Sequence, residues 1–213
     1  MLMNMKLKYC FASFLIILSG MMHAQNSSLL ERLYSDFASS NITLDFSYVI
    51  GTGGSDIVGD GKVDFQGNAY HMSGNGLDIY CDGKDVWLMD TRAKEVYIEA
   101  VSDGTDAFLQ NPALLFMGLK DNFKVVGTKE VTDAGDGGKY MVYELVPEVS
   151  CGIDACTIKI RKEGTLNSGT FVMSEGQTIG VDIRSIKKSD RKDISSFRPT
   201  QSFDSSWMVT DLR

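Results

Sequence analysis

From Thr43 onward the chain alternates apolar with polar residues at a period of two, broken by short turns. This pattern decides most of what the chain can fold into. Side chains that alternate this way point to opposite faces of a pleated strand, so each run has one face for a core and one for water. Leu44, Phe46, Tyr48 and Ile50 form the first such set. Ile57 to Phe65, Tyr70 with Met72, Leu77 to Cys81, Val86 to Met89 and Val96 to Ile98 follow. Gly51-Thr-Gly-Gly54, Gln66-Gly67-Asn68, Ser73-Gly-Asn-Gly76 and Asp82-Gly83-Lys84-Asp85 supply the turns. Six short strands joined this way predict a sequential antiparallel meander. Further strands are predicted at Phe123–Val126, Tyr140–Val146, Thr157–Arg161, Gly169–Met173, Ile179–Ile186 and Trp207–Val209, giving about eleven in all.

Two segments depart from this period. Leu29, Leu30, Leu33, Tyr34 and Phe37 recur at helical spacing behind Ser27 and Ser28, either of which can cap a helix. Asn111-Pro112 opens a second, short helical segment, Ala113-Leu-Leu-Phe-Met117, that is almost wholly apolar and must lie on something. Ahead of both, Lys6 and Lys8 precede the apolar run Cys10-Phe-Ala-Ser-Phe-Leu-Ile-Ile-Leu18, and Ala24 stands before Gln25. That order reads as a cleavable secretory signal over residues 1–24, followed by one domain over residues 25–213. The run is too short to span a membrane. Cys10 sits at the start of the run, which argues against a lipid-anchored N-terminus.

The chemistry that the sequence excludes is as informative. The formal charge is −7, and −9 once Lys6 and Lys8 are removed, so a nucleic-acid footprint is missing. Loss of the leader leaves His71 as the sole histidine, within Tyr70-His71-Met72. A histidine-rich metal site is therefore impossible, and a Ser-His-Asp triad would need His71, which reads as structural. No phosphate-binding glycine motif and no Gly-x-Ser-x-Gly occur, and Asp82 and Asp85 are explained by their turn. These absences point away from an enzyme and from any cofactor. Cys81, Cys151 and Cys156 remain after cleavage, in an oxidising compartment. Cys151 and Cys156 flank Gly-Ile-Asp-Ala and could close a small loop worth about 2 kcal/mol, leaving Cys81 as a buried thiol.

An antiparallel sheet of this many strands must curl. Its apolar faces are rich in methionine and aromatic residues, and two physical outcomes are open. The sheet can close on a tight core, or it can leave a concave face able to hold an apolar ligand. Alternation places Phe46 with Tyr48, Val63 with Phe65, Tyr70 with Met72, and Leu77 with Ile79 on shared faces. If a cavity exists, these residues are expected to line it, with Leu114, Leu115 and Met117 of the short helix above them.

The ordered set of segments resembles the LolA family of periplasmic carriers for outer-membrane lipoproteins. The features that carry the resemblance are the opening helix running into Asn41-Ile-Thr-Leu-Asp-Phe-Ser-Tyr48, Gly59-Asp-Gly61 leading to Tyr70-His71-Met72, and Tyr80-Cys-Asp-Gly-Lys-Asp-Val-Trp-Leu-Met89. Asn111-Pro-Ala-Leu-Leu115, Phe197-Arg-Pro199 and Val209-Thr-Asp-Leu-Arg213 complete it, the last two resembling LolA-like proteins of Bacteroidetes. The resemblance implies a strongly curved antiparallel half-barrel with helices over its concave side. It implies a chaperone that takes acylated lipoproteins from an inner-membrane ABC transporter, as a monomer without a cofactor. The alternative within the same fold is a lipid-sensing regulator. One departure stands out. Carriers of proteobacteria place Lys-Arg-Pro after the Gly-x-Gly strand, where the arginine latches the lid, whereas this chain has Gln66-Gly67-Asn68.

Overall fold

The computed structural model describes residues 29–51, 53–101 and 122–213. The proposed leader, residues 1–24, and the apolar segment with Leu114, Leu115 and Met117 lie outside the described residues. Among the described residues, 29–39 are helical and are called α1. Twelve strands follow: β1 (Asn41–Gly51), β2 (Asp56–Gln66), β3 (Ala69–Gly74), β4 (Leu77–Asp82), β5 (Asp85–Asp90), β6 (Glu95–Ala100), β7 (Phe123–Thr132), β8 (Lys139–Pro147), β9 (Ile153–Arg161), β10 (Leu166–Met173), β11 (Thr178–Ser189) and β12 (Met208–Asp211).

All twelve belong to one open, curved sheet in the order β12-β6-β5-β4-β3-β2-β1-β11-β10-β9-β8-β7. It is two meanders joined at their ends. Strands β1 to β6 run sequentially outward, β11 back to β7 run outward on the other side, and β1 pairs with β11 to unite them. Irregularities in the ladder at Asp45/Phe46, Val125/Gly127, Leu166/Ser168 and Val172/Met173 bend the sheet, because a bulge increases the local twist. The expected turns are present: Asn75 and Gly76 both take positive φ (53° and 87°), the conformation a two-residue type I′ hairpin needs. The expectation of an antiparallel sheet holds everywhere except at β12, which pairs parallel to β6. A four-residue strand at the end of a polar crossing gives no local sign of its partner or direction.

Helix α1 turns Leu30, Leu33, Tyr34 and Phe37 onto the concave face, where all four are buried. They join Ile42, Leu44, Val63, Phe65 and Tyr70 of the first meander, and Tyr143, Leu145, Ile158 and Ile160 of the second, in one core. Phe37 meets Phe65 edge to face, with ring centroids 5.4 Å apart.

The chain beyond β11 straps the opposite, convex side. The amide of Gln66 pairs with the backbone of Lys192 in both directions, donating to its carbonyl at 2.8 Å and accepting from its N–H at 2.7 Å. Phe197, in the 3-10 turn Ile194–Phe197, is fully buried. Arg198 then grips Asp82 through Nε at 2.7 Å and Nη2 at 2.6 Å. Finally Phe203 and Trp207 pack on Met89, Val96 and Ile98 as a second small core, with Tyr80 and Trp87.

Candidate functional site: an apolar groove on the concave face

The same strand faces that are sealed under α1 at one end of the sheet are open at the other. There they form a half-open groove of about 350 Å³. Phe46, Tyr48 and Ile50 of β1 run along it, Met72 of β3 and Leu77 and Ile79 of β4 form one wall, and Ile179 and Val181 of β11 with Phe171 and Met173 of β10 form the other. Few polar groups reach it, and they gather at the β2–β3 side, where Asp60, Ser73 and Asn75 stand.

Glycines shape the floor. Phe46 lies opposite Gly61 and Tyr48 opposite Gly59 in the β1–β2 ladder. A Cβ on Gly61 would stand 2.5 Å from Cζ of Phe46, and one on Gly59 would stand 2.5 Å from Cζ of Tyr48. The two rings therefore lie flat across β2 only because those residues carry no side chain. Asn75, from the β3–β4 turn, donates its amide N–H to the Tyr48 hydroxyl at 2.5 Å and holds that ring in place.

Of the residues expected to line a cavity, Phe46, Tyr48, Met72, Leu77 and Ile79 come together in this groove. Val63, Phe65 and Tyr70 do not. They are 3%, 0% and 0% exposed and belong to the core that includes the buried face of α1, where Phe37 meets Phe65. The two outcomes left open by the alternation, sealed core and open cavity, thus occur in adjacent halves of the same strands. Leu114, Leu115 and Met117 lie outside the described residues. The sequence reading missed Ile50, Phe171, Met173, Ile179 and Val181. Period two marks Ile50, Ile179 and Val181 as facing a core, but their arrival beside Met72 depends on β1 pairing with β11, some 130 residues away in the chain.

The cysteine expectation needs correction. Cys81, Cys151 and Cys156 are all buried and unbonded. Cys151 precedes the Gly152 turn, and Cys156 lies three residues beyond Ile153 along an extended strand. A strand rises about 3.3 Å per residue, and a disulfide tolerates no more than about 7 Å between its Cα atoms. The strand carries Cys156 away from the turn. Burial pushes the Cys156 thiol up to about 12 and that of Cys81 to about 11, so neither is a reactive thiolate at neutral pH.

The charged groups of the first meander serve the strap. Asp82 has only 2% of its side chain exposed. Burial alone would raise its pKa, but the backbone N–H groups of Asp85 and Lys84 and the Arg198 guanidinium outweigh it and hold the carboxyl below its usual range. Asp64 is held low in the same way: Lys192, Asn41 and Thr43 all donate to it and outweigh its burial. His71 is held between Asp78, 3.0 Å from Nε2, and the ring of Tyr80, stacked at 4.0 Å. This is the structural setting expected of it. Among the described residues no cluster of histidine, cysteine and carboxylate side chains could hold a metal ion. No helix among them is long and apolar enough to cross a membrane.

An open, curved sheet with an apolar groove is what a comparison with known families has to account for. The family model described as outer membrane lipoprotein carrier protein LolA matches residues 72–200, more than half of the chain. The chain belongs to the LolA family. Among solved structures it is similar to a DUF1329 family protein from Desulfovibrio piger, at 12% identity and a TM-score of 0.46, covering 83% of this chain and 96% of that one. It is also similar to a LolA superfamily protein from Nitrosomonas europaea, at 12% identity and 0.43, covering 81% and 97%. LprF from Mycobacterium bovis is similar at 11% and 0.41, covering 80% and 96%. No curated protein matches the chain in sequence. Within this LolA-family chain, Gln66-Gly67-Asn68 form the β2–β3 turn, and Gln66 ties down the C-terminal crossing rather than reaching the concave side.

Proposed function

We propose that this protein is a periplasmic carrier that shelters the acyl chains of outer-membrane lipoproteins in the concave groove and moves them from the inner to the outer membrane. The observation that supports this reading is the groove itself: an apolar, half-open trough in a LolA-family chain, set beside a core that is elsewhere fully packed. Methionine and aromatic side chains suit a site that must accept and release irregular apolar chains. The energetics call for a container. Exposing one acyl chain of about 16 carbons to water costs roughly 12 kcal/mol at ~0.8 kcal/mol per methylene. The net negative charge keeps a protein with an apolar mouth soluble.

In this reading residues 1–24 are a cleaved leader, residues 25–213 act as a monomeric domain, and an inner-membrane ABC transporter loads it. No step of the function needs catalysis or a cofactor. Expression in a bacterium with a periplasm, purification without detergent, organic extraction and mass spectrometry test it. Acylated peptide or lipid recovered in proportion to protein supports a carrier. Protein that repeatedly extracts clean, and takes up no acyl ligand on addition, refutes it.

A further inference from the structure

We infer that the groove recognises an acyl chain joined to its head by an amide, through the side-chain pair Tyr48 and Asn75. The inference rests on the carrier reading above and adds the linkage that the site reads.

The groove is apolar over nearly its whole length, and the Tyr48–Asn75 hydrogen bond is set at its rim. Asn75 is solvent-exposed and Tyr48 is half-buried, so the pair marks the border between the apolar trough and water. A chain lying in the trough passes from hydrocarbon to head group at such a border.

The hydrogen-bond inventory of the pair then selects the chemistry. A phenol has one O–H donor and can accept, and a primary amide has two N–H donors and an accepting oxygen. Asn75 Nδ2–H donates to the Tyr48 oxygen. The Tyr48 O–H and the Asn75 carbonyl oxygen have no other partner among the described residues. The pair therefore offers two donors, the Tyr48 O–H and the second Asn75 N–H, beside one acceptor, the Asn75 oxygen. A secondary amide offers the complement, a carbonyl to accept from Tyr48 and an N–H to donate to Asn75. An ester or a carboxylate can only accept, so it leaves the Asn75 oxygen without a donor other than water. Three features of the backbone fix this arrangement. Asn75 stands at φ 53° in a type I′ turn. Gly59 leaves room for both groups, since a Cβ there would lie 2.5 Å from the Tyr48 hydroxyl and 2.7 Å from Asn75 Nδ2. Gly74, whose Cβ would lie 2.6 Å from the Asp60 carbonyl oxygen, lets β3 approach β2 closely beneath the pair.

An ester carbonyl accepts from Tyr48 as an amide carbonyl does, so one hydrogen bond, from the amide N–H to the Asn75 oxygen, separates the two. At a rim where water competes it gives a preference of up to about tenfold, not the far larger ratios of a sealed polar site. The test uses two uncharged ligands with the same acyl chain, N-palmitoylglycine methyl ester and methyl palmitate. Each displaces a fluorescent fatty acid from the wild-type protein, from Tyr48→Phe and from Asn75→Gly. The phenylalanine keeps the ring over Gly59, and the glycine keeps the positive φ. The expected result is that wild type binds the amide about tenfold more tightly than the ester. Asn75→Gly should bring the two ligands within about twofold of each other, whereas Tyr48→Phe, which removes a donor that both carbonyls use, should weaken both ligands alike and keep the amide ahead. Equal affinity of wild type for amide and ester overturns the inference and leaves the carrier reading standing. A preference that survives in Asn75→Gly overturns it too. Failure of wild type to bind either ligand overturns the carrier reading and this inference with it. A melting temperature within a few degrees of wild type confirms that each variant is folded.

Discussion

Substituting Gly61 by alanine gives a direct physical handle on the groove. The new Cβ would stand 2.5 Å from Cζ of Phe46, 2.9 Å from Cε2 and 3.1 Å from Cε1. Carbon atoms in ordinary contact are about 3.5 to 4.0 Å apart, so the tip of the ring must move by at least about 1 Å. β2 lies beneath the ring, so the movement is into the groove. Stability should change little, for two reasons that oppose each other. Pushing a ring off its seat costs about 1 kcal/mol, at the low end of overpacking because the ring is only half-buried. Replacing glycine in a strand recovers about 0.5–1 kcal/mol of backbone entropy. The melting temperature should therefore stay within about 4 °C of wild type. Binding should respond more strongly. If the displaced ring closes one or two methylene positions of the groove, at ~0.8 kcal/mol each, affinity falls about 4- to 15-fold. The assay is displacement of a fluorescent fatty acid, read beside a thermal melt. Phe46→Leu in the Gly61→Ala background removes the collided ring edge and should restore part of the affinity, a non-additivity expected of residues in contact. Unchanged affinity in a folded Gly61→Ala protein, or additive losses in the double variant, would refute the claim that Phe46 lies in the Gly61 slot as the groove floor.

Other expectations follow from the same geometry. Met72 and Val63 are ladder neighbours, but Met72 lines the groove while Val63 is buried in the main core. Met72→Glu should thus fold and lose acyl uptake, whereas Val63→Glu should lose several kcal/mol and unfold on a melting curve. Arg198→Met removes both guanidinium contacts from the buried Asp82 carboxylate but leaves its two backbone donors, so the expected loss is about 2–3 kcal/mol, or a fall of about 4–12 °C in melting temperature. Asp82 and Asp64 are both held below the usual carboxylate range, so their contribution is fully present above about pH 4 and is lost as pH falls through their folded values. Wild-type melting temperature should accordingly be flat from pH 7 to 5 and drop steeply below 4, with a shallower drop in Arg198→Met. Finally, a thiol reagent should find Cys81, Cys151 and Cys156 unreactive in the native protein and all three free on denaturation without reductant.

Much of this was legible in the residues because it is local. Period two located the six strands of the first meander, and the later apolar segments overlapped β7 to β12, though Phe123–Val126 covers less than half of β7. Asn75-Gly76 and Asp82-Gly83 marked their hairpins, and Leu30, Leu33, Tyr34 and Phe37 marked the face of α1. What stayed hidden depends on distant pairing. Phe46 and Phe65 look alike in the sequence, each an aromatic on the apolar face of a strand. One floors a groove and the other is sealed in the core, edge to face against Phe37 of α1. Phe171 and Met173 enter the groove only through the β1–β11 and β10–β11 ladders. Gln66 carries no sign that its amide will take the place of a backbone pair for Lys192. The cysteine spacing misled for a related reason: loop length alone says nothing about whether the intervening residues run straight.

The proposed carrier role requires that the concave groove hold acyl chains and not peptide. A titration of the purified protein with one lipopeptide in two forms, acylated and unacylated, measured by calorimetry below the micelle concentration, tests it most directly. The acylated form should bind saturably at one site per chain, with a negative heat-capacity change from buried apolar surface, and should lose that binding in Met72→Glu. The unacylated form should not bind. Equal binding of the two forms, or acylated binding that Met72→Glu leaves intact, would contradict it.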